Sequence, residues 1–389
     1  MNVALVYDRI VKWGGAERVL LALHELFPDA PLYTAVYDRE HTPWASVFDL
    51  PRGKAGIRTS FLQRFPFVRS HYEWFAWLMP YAFESFSFDE YDVVISVTSA
   101  EAKGIITKPH TRHLCYCLTP TRYLWSHYED YFHHRLFRTI SRPAVSSLRK
   151  WDYIAAQRPD HMIAISHAVQ QRIKKYYGRD SEVIYPPVDL KLEVGNSNVE
   201  NEFRKKKLDN RPSNIQPQHQ RSNLELPTSY YLVVSRLVPY KKIDLAILAF
   251  NRLQLPLVII GSGHELERLK RMAGPSVKFL SDLTEDRLNW YYRHCRAFIL
   301  PQEEDFGIAA VEAQMHGKPV IAFHAGGSLD TVKEGETGIF FHQQTENALI
   351  DALHRFDKMQ FVESACRRNA ERFSKERFME GIRKIISKQ

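Results

Sequence analysis

Residues 297–338 read AFILPQEEDFGIAAVEAQMHGKPVIAFHAGGSLDTVKEGETG, and this stretch decides the fold. It begins with an apolar run at 297–300, which has the length of a buried parallel strand. After a polar turn, the apolar periodicity of residues 308–316 predicts a helix, and Gly317 just beyond it is a helix stop. A second buried strand follows at 319–323. This order predicts a parallel α/β sheet whose ligands bind at the carboxyl ends of the strands.

Two glutamates mark the loop and the helix of this stretch. Glu304 lies in the loop, and Glu312 follows eight residues later, about one and a half turns into the helix. Backbone amides at Phe306, Gly307 and Ile308 open the helix and can receive an anion, while carboxylates accept hydrogen bonds from sugar hydroxyls. A nucleotide sugar has hydroxyls at both ends and a diphosphate between them, so the pattern predicts a site for one. Ordinary solvated glutamates remain the alternative.

The composition is that of a globular chain with a basic excess. The chain has 389 residues, of which 44% are hydrophobic and 25% are charged, and this length suggests two or three domains with cores of their own. The net charge of +8 favours anionic partners, such as nucleotide diphosphates, lipid phosphates or an acidic membrane face. Zinc-finger spacing and RNA-binding motifs are absent from the sequence, so it argues against nucleic acid.

The cysteine content and the hydropathy of the sequence indicate where in the cell the protein is located. The four cysteines are too few and too scattered for a disulfide framework. Cys115 and Cys117 lie in an apolar run, where burial as small hydrophobic residues is favoured over metal binding. No apolar run approaches the roughly 18 residues that span a bilayer, and the amino terminus lacks the charged start of a signal peptide. We therefore expect a cytoplasmic protein.

The first half of the chain repeats the order of strand, loop and helix. A buried strand is expected at 3–7, Gly14 and Gly15 close the loop after it, and the apolar residues within 19–27 fall on one helical face. A glycine pair permits close approach of the backbone to a ligand, with a simple tight turn as the alternative. The spacing is not G-x-G-x-x-G, so a nicotinamide site is not indicated. Further strands are expected at 91–97, 113–117 and 160–166.

A basic and aromatic segment interrupts this pattern at residues 58–81, which read RTSFLQRFPFVRSHYEWFAWLMPY. Aromatic side chains interleave there with Arg58, Arg64 and Arg69. Such a segment can lie in a membrane interface. The alternative is a helical excursion whose aromatic side chains pack into the first domain. The predicted partner is an anionic membrane surface, with the protein peripheral at the inner face of the plasma membrane.

A polar stretch separates the two halves, and two cations open the second. Residues 191–228 contain few apolar side chains, so we expect a mobile linker or insertion. A strand at 231–235 is followed by Arg236 and Lys241, ahead of an amphipathic helix. A planar guanidinium and a point charge at a strand end can clamp a diphosphate. Gly261, in the G-x-G loop after the next strand, is placed where a nucleotide approaches.

The segment EEDFGIAAVEAQMHGKPVIA, which contains Glu304 and Glu312, resembles the signature of retaining glycosyltransferases of family 4. The Arg-Leu-x-x-x-Lys motif at 236–241 and the segment GGAERV at 14–19 resemble two further motifs of that family. The resemblance extends over nearly the whole chain outside 191–227. It implies two Rossmann-like α/β domains with doubly wound parallel sheets that face a cleft, the GT-B arrangement.

The resemblance also implies domain limits and residue roles. The first domain would comprise residues 1–190 and the second 229–372, with the last helix, at about 373–389, packing back on the first. In the family the first glutamate contacts the donor sugar, the second contacts the ribose, and the two cations hold the donor phosphates. The residues expected to act in catalysis are Arg236, Lys241 and Glu304. The residues expected to bind the nucleotide sugar are Gly14, Gly15, Gly261, Phe306, Gly307, Ile308 and Glu312.

The acceptor side of the pattern departs from the family. The segment LTPTRYLW at 118–125 resembles a strand-end motif in which a histidine precedes Thr-Pro, and Leu118 stands at the histidine position. A leucine side chain can neither donate nor accept a hydrogen bond, whereas the family histidine lies beside the donor sugar and the acceptor. Arg122 is a candidate contact for an acceptor phosphate. Lys103 either meets an acceptor anion or is solvated.

The expected function is retaining transfer of a sugar from a nucleotide-diphospho-sugar to a glycan or lipid-linked acceptor. The segments VYD, PPVD and YLW resemble bacterial O-antigen and polysaccharide mannosyltransferases, so GDP-mannose is the expected donor. A metal is not expected, because the two cations take its place. Two other classes stay open. One is a nucleotide-sugar epimerase of the same fold, and the other is a non-catalytic protein that binds a nucleotide sugar or a glycan.

Overall fold

The computed structural model describes residues 1–49, 56–126, 128, 135–189 and 229–387. The chain divides into two compact units. Unit 1 comprises Met1–Pro187 and Lys375–Gln389, and unit 2 comprises Val188–Ser374. Residues 191–228, for which the sequence predicts a linker, lie outside the described residues.

Unit 1 alternates strands and helices in its amino-terminal part. The strands are β1 Val3–Tyr7, β2 Leu32–Thr34, β3 Ile57–Thr59, β4 Val93–Thr98, β5 Arg112–Cys117, β6 His161–Ala164 and β7 Glu182–Val183. The helices are α1 Gly15–Leu26, α2 Met79–Glu84, α3 Arg135–Ala155 and α4 His167–Tyr177.

The seven strands of unit 1 form one parallel sheet in the order β3-β2-β1-β4-β5-β6-β7. All five residues of β1 are buried, as a central strand with helices on both faces requires. Helix α4 shows local signals that fix its ends. The Ser166 side chain accepts from the Val169 amide at 3.1 Å, and Gly178 adopts the left-handed conformation at φ +68° that ends the helix.

Unit 2 has six strands and seven helices among its described residues. The strands are β8 Tyr231–Val234, β9 Leu257–Ile260, β10 Val277–Leu280, β11 Ala297–Leu300, β12 Val320–Phe323 and β13 Gly338–Phe341. The helices are α5 Ile243–Leu253, α6 Leu266–Met272, α7 Glu285–His294, α8 Ile308–Met315, α9 Ser328–Thr331, α10 Glu346–Phe356 and α11 Glu363–Ala370.

The sheet of unit 2 is parallel throughout, in the order β10-β9-β8-β11-β12-β13. The chain moves outward from β8 to β10 and then returns to place β11 on the other side of β8. The strand order therefore reverses between β8 and β11, and a crevice opens there at the carboxyl ends of the strands. Two doubly wound parallel sheets confirm the predicted α/β class and Rossmann-like architecture.

The last helix, α12 Lys375–Ser387, belongs to unit 1. The Arg112 guanidinium donates to the carbonyl of Ile386 at 2.9 Å, and Lys375 pairs with Glu25 of α1 at 2.8 Å. The Phe378 ring meets Tyr116 of β5 edge-on, with centroids 5.5 Å apart. These contacts fasten the carboxyl-terminal end of the chain to the first sheet.

The aromatic segment at 58–81 divides its side chains between the core and the surface. It contains short 3₁₀ turns at Phe61–Arg64 and Tyr72–Phe75 and the start of α2, rather than one long helix. Leu62, Val68 and Met79 are buried in the core of unit 1. Its exposed aromatic residues are Phe61, Phe65, Phe67, Trp74, Trp77 and Tyr81. The buried side chains pack into the domain, as one of the two alternatives predicts. The exposed aromatic side chains form a surface, which we call the aromatic surface.

Candidate functional site

Charged side chains collect where the strand order of unit 2 reverses. Arg236 and Lys241 follow β8, and a 3₁₀ turn at Pro239–Lys241 sets the direction of the lysine. Glu304 follows the neighbouring strand β11. Because β8 and β11 are adjacent and parallel, their carboxyl ends bring these residues to the same place on the sheet edge.

Lys241 and Glu304 are in direct contact. The lysine ammonium donates to Oε1 of Glu304, and the two side chains are 10% and 18% exposed. Gln302 donates to the same carboxylate oxygen at 2.6 Å, and it is itself buried. The sequence predicts two separate roles for Lys241 and Glu304, yet the fold joins them in one ion pair, which is largely buried but keeps some contact with solvent.

Arg236 is the exposed cation of this group. Its guanidinium donates to the Tyr240 hydroxyl at 2.5 Å, and the Lys241 ammonium lies 5.3 Å from the centroid of the Tyr240 ring. Tyr240 therefore contacts both cations and holds them on one side of the crevice. A guanidinium and an ammonium in this arrangement are suited to a diphosphate.

Glycines let the loops of unit 2 pack against each other. At Gly261, with φ +154°, an added Cβ would lie 1.8 Å from the Ser235 carbonyl oxygen. At Gly327 it would lie 2.3 Å from Cα of Phe306, and the Gly327 amide donates to the Glu304 carbonyl at 2.7 Å. The loops that carry the site charges therefore depend on glycine for their close approach to neighbouring backbone.

Helix α8 begins at Ile308, four residues after Glu304. Gly307 precedes it in the left-handed conformation at φ +94°, which favours glycine. The Phe306 side chain is buried against Phe373, with ring centroids 5.3 Å apart. Only the backbone of Phe306 is thus available for the predicted role, while Ile308 is partly exposed at the first turn of the helix.

Glu312, in the second turn of α8, is held by a residue that the sequence analysis missed. The Tyr292 hydroxyl, from α7, donates to Oε2 of Glu312 at 2.8 Å. Tyr292 is 1% exposed, whereas Glu312 is partly exposed. Tyr292 lies twenty residues upstream in another helix, so spacing gives no signal for this contact.

In unit 1 the prediction that Lys103 would be solvated or meet an acceptor anion is wrong. Lys103 is 1% exposed, its ammonium lies 2.6 Å from the Asp152 carboxylate, and it donates to Thr121 at 3.0 Å. Burial alone would lower the pKa of Lys103, but the charge of Asp152 and its hydrogen bond outweigh burial and raise it. Asp152 comes from the distant helix α3, so the sequence could not reveal the pair.

A second buried group of charges lies at the ends of β1 and β4. Asp8 accepts from the Thr98 hydroxyl at 2.8 Å and from the Ser99 amide at 2.7 Å. Arg9 lies 3.4 Å from Glu101, whose other oxygen accepts from the Tyr123 hydroxyl. Burial raises the pKa of Glu101, and the nearby Arg9 offsets part of this rise. These charges bind the strand ends of unit 1 to one another.

Four more residues from the sequence analysis lie at the carboxyl edge of unit 1. Gly14 precedes α1 in an extended conformation, and Gly15 is the first residue of that helix. The Leu118 amide donates to the Thr98 carbonyl at 2.8 Å, which continues the β4–β5 pairing. Arg122 is partly exposed in the loop after β5. Gly14 thus follows β1, and Leu118 and Arg122 follow β5, with β4 between the two strands.

The described residues contain neither a metal-binding cluster nor a membrane-spanning helix. Among them, no group of three or more His, Cys, Asp or Glu side chains is placed to hold a metal ion. Within the same ranges, no helix combines the length and the apolar character needed to cross a membrane. The four cysteines are buried thiols, as the sequence predicts for Cys115 and Cys117, and burial raises the pKa of Cys115 to about 11.

The fold and the site define a two-domain α/β protein with paired cations at the reversal point of its second sheet. Comparison with protein families agrees with this class. The model described as Glycosyltransferase Family 4 matches residues 13–192, and the model described as Glycosyl transferases group 1 matches residues 214–373. The chain belongs to glycosyltransferase family 4, as its motifs predict.

Curated relatives match this chain over part of its length. A D-inositol 3-phosphate glycosyltransferase of Streptomyces bingchenggensis is 28% identical over 243 residues, which are 55% of this chain and 50% of the relative. A GDP-mannose-dependent alpha-(1-6)-phosphatidylinositol monomannoside mannosyltransferase of Mycobacterium tuberculosis is 30% identical over 147 residues, 33% of this chain and 38% of the relative. The chain thus spans half or less of the length of these relatives.

Solved structures share the fold along the whole chain. Anabaena HepE, in complex with UDP and glucose, superposes with a TM-score of 0.68 at 19% identity and covers 100% of both chains. The superposition shows the GT-B fold. At 19% identity it does not extend the substrates of HepE to this protein.

Proposed function

We propose that this protein is a retaining glycosyltransferase that moves a sugar from a nucleotide-diphospho-sugar to a glycan or lipid-linked acceptor. The observation that carries the proposal is the contact between Lys241 and Glu304 at the reversal point of the unit 2 sheet, with Arg236 beside it. A cation pair next to a carboxylate matches the diphosphate and the sugar hydroxyls of such a donor.

Each group has a definite task in the proposed reaction. Arg236 and Lys241 neutralise the charge that grows on the leaving diphosphate, so a metal ion is not needed. Glu304 orients the sugar, and Glu312 accepts hydrogen bonds from the ribose. The amides of residues 306–308, at the start of α8, help to seat the donor, and Gly261 admits the nucleotide. In unit 1, Gly14, Gly15 and Arg122 are the proposed substrate contacts.

The proposed chemistry needs no protein nucleophile. The bond between the anomeric carbon and the phosphate oxygen breaks while the acceptor oxygen bonds to the same face of that carbon. The proton of the acceptor hydroxyl passes to the leaving phosphate, which serves as the base. The ion pair with Glu304 keeps Lys241 desolvated and in place before the donor arrives, so little reorganisation is needed at the moment of reaction.

GDP-mannose is the proposed donor. The sequence motifs resemble those of mannosyltransferases, and one relative is described as GDP-mannose-dependent. HepE was solved with UDP, so UDP-sugars are the direct competitor. A thermal-shift panel of GDP- and UDP-sugars tests the donor, because a ligand of the native state raises stability by RT ln(1 + [L]/Kd). Stabilisation by UDP-glucose, without any by GDP-mannose, would contradict the mannose assignment.

The Lys241→Ala variant tests the mechanism. Loss of one electrostatic donor from such a site lowers kcat by about 10²–10³-fold, and we expect that loss in a radiolabelled-donor transfer or hydrolysis assay. Lys242→Ala, a change at the exposed neighbouring lysine, is the control and should retain near-normal turnover. If Lys241→Ala also turned over normally, the proposed clamp would be wrong.

A second candidate is a non-catalytic protein that binds nucleotide sugars, which Leu118 favours because the family histidine is missing. Donor binding in the thermal-shift panel, with neither transfer nor hydrolysis by the wild-type protein, would support this candidate over the enzyme. Isomerisation of the donor without an acceptor would instead indicate an epimerase.

We also propose that the aromatic surface at 58–81 contacts an anionic membrane at the inner face of the plasma membrane, where a lipid-linked acceptor would lie. Trp74 and Trp77 are 68% and 61% exposed, and the basic side chains Arg64 and Arg69 of the same segment are exposed as well. Amphipathic aromatic and basic side chains are suited to a lipid headgroup region. Co-sedimentation with phosphatidylglycerol vesicles should fall in a Trp74→Ser/Trp77→Ser variant and persist in Trp290→Ser, a change at an exposed tryptophan of unit 2. Equal binding by all three proteins would exclude this surface.

A further inference from the structure

Glu312 and Glu304 are held in place by side chains of different chemistry. Glu304 contacts the ammonium of Lys241, so its charge is largely compensated inside the protein. Glu312 receives a hydrogen bond from the Tyr292 phenol at 2.8 Å. A phenol is a neutral donor, so it orients a carboxylate without cancelling its charge.

The Tyr292 ring is fixed on two sides. It lies parallel to the His316 imidazole, at 11° with centroids 5.6 Å apart, and it packs against Phe298 of β11 at 6.0 Å. The side chain is 1% exposed, and its helix, α7, packs on the same face of the sheet as α8. The phenol oxygen is therefore held at one position, and it is aimed at Glu312.

The imidazole behind Tyr292 does not supply a competing charge. His316 is 6% exposed, and its Nε2 lies 3.3 Å from the Asn289 amide oxygen. Burial, together with the positive charge of Arg293, lowers the pKa of His316 to about 4. At neutral pH the ring is uncharged and acts as a flat packing surface behind the phenol.

A carboxylate held in one rotamer binds a diol more tightly than a carboxylate that samples several rotamers. A partly exposed glutamate on a helix samples several rotamers, and selecting one of them on binding costs free energy. A contact that selects the rotamer in advance lowers that cost, so the same hydrogen bonds give higher affinity. The gain should appear only for a ligand whose hydroxyls reach the carboxylate.

We propose that Tyr292 is a positioning residue that holds Glu312 in the orientation that accepts hydrogen bonds from the ribose hydroxyls of a nucleoside diphosphate. The inference rests on the proposed function, since it assumes that a ribonucleotide occupies this end of the crevice. Tyr292 acts through Glu312 and need not touch the ligand itself.

The test compares nucleotides with and without ribose hydroxyls. Dissociation constants of the full-length protein would be measured by calorimetry for GDP and UDP and for their 2′,3′-dideoxy forms. We expect Tyr292→Phe to weaken binding of the preferred ribonucleotide by about three- to tenfold, which is the effect of ordering one additional free side chain on binding. Binding of its dideoxy form should change by less than about twofold, because that ligand cannot use the oriented carboxylate.

Two further variants keep the result interpretable. Tyr291→Phe removes a phenol from the same helix, next to Tyr292, and should leave the affinity ratio of the two nucleotide forms unchanged. In a Glu312→Ala background, Tyr292→Phe should have no additional effect, because the carboxylate it positions is gone. This non-additivity separates positioning from a general effect on folding.

Three outcomes would overturn the inference. Equal weakening of ribonucleotide and dideoxynucleotide by Tyr292→Phe would show a purely structural role. No weakening at all would show that Glu312 is positioned without the phenol. Failure of the wild-type protein to bind either GDP or UDP would instead overturn the proposed function, and the inference with it.

Discussion

The first six strands of each sheet follow the same order, but the charges at the carboxyl ends of the strands are arranged differently. In unit 1 the Lys103–Asp152 pair is 1% exposed on both sides. In unit 2 the Lys241–Glu304 pair is 10% and 18% exposed, and Arg236 beside it lies at the surface. Each lysine follows a central strand, so the topology places both at the carboxyl edge of a parallel sheet.

The same topology thus carries a fully buried ion pair in unit 1 and a partly exposed one in unit 2. A fully buried pair must remain intact, because separating it leaves a charge without water or a partner. A partly exposed pair keeps access to solvent, so a ligand can replace one partner at a lower cost. The carboxyl edge of unit 1 is thus closed by its own side chains around Lys103, while the ion pair in unit 2 keeps some contact with solvent.

The largest expected effect would test whether the pair in unit 1 is purely structural. Lys103→Met removes one partner of a buried ion pair and should lower the free energy of unfolding by about 3–5 kcal/mol. Urea unfolding of the full-length protein measures this change. Lys108→Met, which breaks an exposed pair with Asp89, is the control and should cost at most about 1 kcal/mol. Similar losses in the two variants would remove the distinction between buried and exposed pairs.

The next prediction concerns the loop that opens the site in unit 2. A Cβ at Gly327 would meet Cα of Phe306 at 2.3 Å, so Gly327→Ala should push the Glu304 loop away. We expect a loss of about 1–3 kcal/mol in stability, as overpacking typically costs, together with weaker binding of nucleoside diphosphate.

Gly335→Ala is the matched control for Gly327→Ala. Gly335 has φ +79° and nothing within 4 Å of an added Cβ, so the substitution introduces backbone strain without a clash. It should cost about 1–2 kcal/mol and leave nucleotide affinity unchanged. If the Gly335 variant lost affinity as much as the Gly327 variant, the effect would reflect general destabilisation rather than loop position.

A double-mutant cycle on Lys241→Ala and Glu304→Ala measures the pair in unit 2 directly. We expect a coupling of about 1–2 kcal/mol in unfolding free energy, as for partly buried contacting charges. The exposed Lys270–Glu267 pair at 3.2 Å is the control, with a coupling of about 0.2–1 kcal/mol. Saturating nucleoside diphosphate should reduce the Lys241–Glu304 coupling, because the phosphates would replace Glu304 as the partner of Lys241. An unchanged coupling would argue against this replacement.

The smallest expected effect concerns Glu17, a buried carboxyl in unit 1 that accepts from the Tyr7 hydroxyl at 2.7 Å. Burial raises the pKa of Glu17 above the ordinary glutamate value of 4.5, although the hydrogen bond from Tyr7 offsets part of the rise. Its contribution to stability is therefore present below about pH 4.5 and lost as pH rises through the folded pKa.

Glu17→Gln should consequently gain stability relative to the wild type between pH 4.5 and 7. Thermal unfolding across that range measures the change, and Glu40→Gln, at an exposed position, is expected to follow the wild type. A difference between Glu17→Gln and the wild type that shrinks as pH rises would have the wrong sign and would refute the assignment.

Local patterns in the sequence predicted most of the sheet and the charged loops of unit 2. The apolar runs that became β1, β8 and β11 have the length and burial of central strands. The spacing of the residues after β8 and β11 indicated Arg236 and Glu304 as site residues. These features lie within a few residues of one another, so their signal does not depend on how distant segments pack.

Contacts between distant segments escaped the sequence analysis. Lys103 was expected to be solvated or to meet an anion, yet Asp152 neutralises it from a helix 49 positions away. Tyr292 was overlooked because its hydroxyl meets Glu312 only when two helices pack on the same side of the sheet.

The sequence by itself determined the α/β class, the family and the chemical types of the groups at the strand ends, because periodicity and motif spacing are local properties of the chain. Tertiary structure alone decided which of those charges are closed off and which remain open to a ligand. Burial and ion pairing depend on side chains brought together from distant positions, and they set whether a lysine is enclosed in the fold or keeps contact with solvent.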